Sequence, residues 1–70
     1  MNTIREDIRD ALYHHDLARA AARIYEEILA GPVPPELIPQ YEAGHAECMR
    51  LAEKWRKEIK DLLRTLRDAA

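Results

Sequence analysis

Ala30-Gly31-Pro32-Val33-Pro34-Pro35 is the stretch that divides this 70-residue chain. Gly31 suits the left-handed cap that ends many helices, and Pro32 cannot continue one. Three prolines within five residues make the connection stiff rather than floppy. Upstream of it no Gly or Pro occurs, and Thr3-Ile4-Arg5-Glu6 fits the S/T-x-x-E capping box that opens a helix. The spacing therefore predicts a first helix over about residues 4–30. Downstream, Pro34 or Pro35 can occupy a first helical turn, where a missing amide costs nothing. Pro39 is tolerated if the helix proper begins near Ile38 or if Pro35 to Ile38 forms a separate turn. From there the pattern stays helical to about Ala69, with Gly44 its only breaker. The reading is an all-α helical hairpin in a single domain, 1–70: a helix over about 4–30, a Pro-rich loop over 31–35 and a helix over about 36–69.

The second helix sets the expected core. At 100° per residue, Leu37, Tyr41, Gly44, Cys48, Leu51, Trp55, Ile59, Leu62 and Leu66 fall on one stripe. Its spacings of three and four resemble a coiled-coil seam, broken by two successive fours at Leu51-Trp55-Ile59, a stutter that would locally unwind a supercoil. Gly44 within the stripe is expected to let another backbone come close.

The first helix is less uniform. Ile4, Ile8 and Leu12 define one stripe, whereas Leu17, Ala21, Ile24, Tyr25 and Ile28 centre on a face rotated by roughly 100°. Either one continuous helix contacts different neighbours along its length, or the chain turns near His14-His15-Asp16 with Asp16 as an N-cap, giving a three-helix monomer. The continuous helix is the preferred reading, because such a turn would lack both Gly and Pro. Asp16-Leu17, Ala20, Ile24 and Pro32 resemble the second helix and exit of a single tetratricopeptide-type helical pair, with departures at Ile8 and Glu27. That resemblance implies peptide binding in a groove, and it carries over no groove residue.

Composition agrees with helix. Ala, Glu, Lys, Leu and Arg make up 38 of the 70 residues. The single cysteine, Cys48, excludes an intramolecular disulfide. Met1-Asn2-Thr3 leads directly into a charged amphipathic segment and no apolar run approaches the roughly 20 residues of a membrane span, so the expectation is a soluble, cytoplasmic chain. Charge is divided along it: residues 1–49 carry four basic and nine acidic side chains, and residues 50–70 carry seven basic and four acidic. Such a polarity favours antiparallel self-association or an acidic partner for the basic end.

Residues capable of chemistry are few. Glu42-Ala43-Gly44-His45 has the E-x-x-H spacing of di-iron bundles, with Glu26 or Glu27 able to add a carboxylate in a dimer, but its helical phase points Glu42 at solvent. His45 and Cys48 lie three apart beside the stripe, where two copies across a dimer axis would supply four zinc ligands. Adjacent His14 and His15 diverge by about 100° and make a poor chelate. No serine occurs, no Gly-rich phosphate cradle exists, and Cys48 lacks an identifiable orienting partner beyond His45. Arg50, Arg56, Lys57, Lys60, Arg64 and Arg67 cluster on the outer side of the second helix but are diluted by Glu53, Asp61 and Asp68, so nucleic acid is not expected as a partner.

These observations predict a non-catalytic protein–protein interaction module without a cofactor, a small regulator, adaptor or inhibitor acting through a helix face. A lone hairpin would expose too much of both stripes, so it is expected to pair with itself as an antiparallel four-helix bundle, through Leu37, Tyr41, Cys48, Leu51, Trp55, Ile59, Leu62 and Leu66. The alternatives are a structural or de novo designed bundle without natural activity, and a metal-binding bundle using His45 with Cys48 or Glu42.

Overall fold

The computed structural model describes residues 3–69; Met1 and Asn2, which entered the reading of the N-terminus, and Ala70 lie outside the described residues. Two long helices, α1 (Ile4–Ala30) and α2 (Ile38–Asp68), pack against each other in a hairpin 53 Å long and 19 by 14 Å across. α1 begins as the Thr3 hydroxyl accepts a hydrogen bond from the Glu6 amide at 3.2 Å, and the Thr3 carbonyl accepts from the Asp7 amide.

α1 is unbroken through His14-His15-Asp16. Without Gly or Pro there, every backbone amide keeps its partner one turn back, and nothing favours a turn. The three-helix alternative and the likeness to a tetratricopeptide pair both require that turn, so neither holds. At the other end of α1, Gly31 has φ −96° and ψ −174°, which is extended and not left-handed. Its neighbour explains this: Pro32 confines the preceding residue to extended backbone. The helix closes instead with a tight bond from the Gly31 amide to the Ile28 carbonyl, 3.2 Å. Pro35–Leu37 forms a separate 3-10 turn, the Leu37 amide donating to the Pro34 carbonyl at 2.9 Å, and Pro39 then falls in the first turn of α2.

The seam between the helices differs from the expected stripes in phase. On α1 it runs Ile4, Ile8, Ala11, His15, Ala18, Ala22, Tyr25, Leu29, alternating four and three without a fault, and all eight are buried or half-buried. On α2 it runs Ile38, Tyr41, His45, Cys48, Ala52, Trp55, Ile59, Leu62, Leu66, again unbroken. The expected stutter vanishes because Ala52, 4% exposed, occupies the seam and Leu51 stands beside it. Alanines hold the tightest positions: Ala11, Ala18, Ala22 and Ala52 are the buried residues among those described. Small side chains at these places let the two helices come together, and larger ones project to the flanks.

Two predictions follow from this seam. Ala22 is wholly buried, so Ala22→Leu should push the helices apart and lower stability by about 1–3 kcal/mol, despite leaving helix propensity almost unchanged. A raised midpoint in urea would show that alanine does not set the separation. Gly44 makes room for an aromatic ring and not for a backbone: a Cβ at 44 would lie 2.5 Å from Tyr25 Cζ and 2.7 Å from its hydroxyl oxygen. Alanine at 44 gains about 1 kcal/mol in helix propensity but must displace that ring. Gly44→Ala should therefore help little in the parent chain and stabilise by about 1 kcal/mol in a Tyr25→Ala background, a coupling that a double-mutant cycle measures.

Candidate interaction face

Residues just off the seam on one side of the hairpin build a continuous apolar face. α1 contributes Leu17, Ala21, Ile24 and Ile28, about 60–120° round the helix from Ala18; α2 contributes Cys48, Leu51 and Trp55 from the matching side. Leu17, Ala21, Cys48, Leu51 and Trp55 line one shallow groove between the helices, with His14 at its end. Leu17 is 55% exposed and Ile24 58%. Both, with Ile28, belong to the rotated second stripe of α1, and Leu12, from the first stripe, is exposed on the opposite flank. Alanine took their place at the seam, and a helix buries only one side against a single neighbour.

Trp55 anchors the face. Its ring stacks on the His14 imidazole at 4.7 Å between centroids and 18° between planes, and the Lys54 ammonium lies 5.4 Å from the ring centre. Beyond it, towards the open end of the hairpin, Asp7, Asp10 and Glu58 surround His14, Trp55 and Leu62. The apolar face thus ends in three carboxylates.

All eight residues expected at the interface, Leu37, Tyr41, Cys48, Leu51, Trp55, Ile59, Leu62 and Leu66, are half-buried. Six of them lie in the intramolecular seam; Leu37 and Leu51 stand one position off it. Leu17, Ile24 and Ile28 belong with them on the open side. Their signal in the sequence was the rotated second stripe of α1, which marks a surface facing away from α2.

The opposite side of the hairpin is polar. His15, Arg19, Met49, Glu53 and Arg56 meet there, and Arg19 donates to the Met49 sulfur at 3.3 Å. Two bidentate pairs run along α2: Arg50 with Glu47 at 3.0 and 2.5 Å, and Arg56 with Glu53 at 2.9 and 3.0 Å. The hydrogen bonds from each arginine hold Glu47 and Glu53 below the usual carboxylate range, and raise the arginines in turn. A lowered folded-state pKa stabilises above the unfolded value and ceases to as pH falls through the folded one. Acidification below the ordinary carboxylate range should therefore reduce the helicity of α2, by a small amount because both pairs are solvent-exposed.

Of the metal candidates, Glu26 and His45 meet across the hairpin, and Glu42 stands apart from them. Glu42 is exposed, whereas His45 and Cys48 are half-buried in the seam. Among the described residues no group of three or more His, Cys, Asp or Glu side chains is placed to hold an ion. His45 Nε2 is buried without a hydrogen-bond partner, and Glu26 Oε2 across the hairpin stands 3.8 Å away. No helix among the described residues is long and apolar enough to cross a membrane. No protein family, curated protein or solved structure matches the chain.

Proposed function

We propose that this chain is a non-catalytic interaction module that works through its apolar face, and that the first occupant of that face is a second copy. One observation carries the reading: among the described residues no side chain larger than alanine is buried. The accessible surface is 5553 Å², against about 4,500 Å² for a compact monomer of this mass. That excess of about 1,000 Å² is close to the roughly 800 Å² that each partner loses in a standard protein–protein interface. Closing two copies over Leu17, Ile24, Ile28, Leu51 and Trp55 yields a four-helix bundle whose shared core holds the leucines, isoleucines and tryptophan that one hairpin leaves half in water.

The carboxylates select the arrangement. Laying two hairpins with their loops at the same end would gather Asp7, Asp10 and Glu58 of both copies around one site, and like charges at close quarters oppose association. With the loops at opposite ends, the two acidic clusters are held apart by the length of the bundle, and each meets the Ile28 and Leu37 end of its partner.

Solution mass tests this directly. Light scattering across a hundredfold range of concentration should return twice 8.1 kDa. A mass of 8.1 kDa throughout would overturn the self-paired bundle and leave the face for a different protein.

A further inference from the structure

The cations of α2 fall into two groups. Arg50 and Arg56 are each clamped by a glutamate three residues earlier. Lys57, Lys60, Arg64 and Arg67 are not: among the described residues none has a carboxylate oxygen within 4 Å. Their spacing of three, four and three places all four on one face of α2, over about 15 Å of helix. Like charges at these spacings repel along a helix. Glu53 lies close enough to attract Lys57 and Lys60, and Asp61 and Asp68 stand within four residues of the row, so the repulsion is offset only in part and no cation of the row is clamped as Arg50 and Arg56 are. Leu63, 49% exposed, projects beside them and shares a shallow concavity with Lys60, Arg64 and Arg67. The row lies on the far side of α2 from the groove at Leu51, so pairing of two copies through the apolar face leaves it open.

We propose that this row is a second docking surface, taking an acidic amphipathic helix of a partner protein: carboxylates at helical spacing against Lys60, Arg64 and Arg67, and an apolar side chain against Leu63. Three features favour such a helix over other anions. A leucine within the row offers nothing to a phosphate backbone but suits a peptide with one apolar position. Two arginines give planar, bidentate carboxylate recognition. Asp61 and Asp68 border the row, so its four cations do not form the uninterrupted basic track that suits an extended polyanion, whereas pairing with a few carboxylates is undisturbed. The surface is independent of the self-pairing reading, so either can fail alone.

The test is fluorescence anisotropy of the full chain with a labelled synthetic helix carrying glutamates at i, i+4 and i+7 around one leucine, with a 20-base-pair duplex and phosphatidylserine vesicles as competing probes. Saturable binding is expected that weakens at least tenfold in Lys60→Glu/Arg64→Glu and is restored when the peptide's glutamates become lysines. Leu63→Gln should weaken the peptide severalfold. All three positions are exposed, so circular dichroism should show these variants as helical as the parent. Peptide binding unchanged in the double variant, or duplex or vesicles displacing the peptide from the parent at equal charge, would overturn the proposal. So would a low-salt rise in mass beyond two chains that the double variant abolishes, because the row would then be meeting the acidic half of its own kind.

Discussion

Leu17→Glu should turn a two-chain particle into a single chain. Leu17 is more than half exposed in the hairpin, so for an isolated chain the change belongs with surface substitutions worth no more than about 0.5 kcal/mol. Leu17 lines the groove with Leu51 and Trp55, and in the proposed bundle the second copy would cover it. There the variant loses roughly 1.5–3 kcal/mol of apolar burial and must also desolvate a carboxylate without a cationic partner. The combined loss exceeds about 3 kcal/mol at each of two symmetric positions, and 3 kcal/mol alone raises Kd more than a hundredfold. Sedimentation or light scattering should therefore find single chains at concentrations where the parent pairs. If the variant stayed paired, Leu17 would lie outside the shared core and the bundle would have to be built through another face.

Trp55→Ala should cost about 3–5 kcal/mol in the paired state, the range for deleting a fully buried large aromatic. Within one hairpin Trp55 is only half-buried, touching the seam with one side and stacking on His14 with another. The second copy would cover the rest. A loss of that size corresponds to a fall in thermal midpoint of about 10 °C or more for an assembly of two such chains. The substitution differs in kind from Leu17→Glu. It weakens the hairpin as well as the association, so helicity should fall along with the mass, whereas Leu17→Glu should act on mass first. Unchanged thermal stability would remove Trp55 from any core, and retained helicity with lost pairing would place all of its contribution at the interface.

Much of the fold was legible in the residues themselves. The Pro-rich stretch after Ala30, the Thr3 cap and the helical period of the apolar positions sufficed for two helices, their approximate ends and the single loop. The face of α2 that meets α1 was legible too, because its large residues, Tyr41, Trp55, Ile59, Leu62 and Leu66, lie in the seam. The phase of α1 was not. Hydropathy weights Leu12, Leu17, Ile24 and Ile28 above Ala11, Ala18 and Ala22, yet the alanines are what the second helix packs on. The same preference for the bulkier neighbour chose Leu51 over Ala52 and produced a stutter that is not there. Gly31 departs from the left-handed cap for a different reason: the proline that follows confines it to extended backbone, whatever freedom glycine has on its own.

The sequence by itself determined which segments are helical, where the chain reverses and which side chains are apolar, because those follow from local backbone preferences and from period alone. Only the tertiary structure decided which apolar residues are core and which are surface. That choice depends on how closely two helices can approach, and closeness rewards the small side chain that a hydropathy pattern undervalues. Once the alanines had brought the helices together, the larger residues beside them, Leu17, Ile24 and Ile28 with Leu51, were left to form a face of their own.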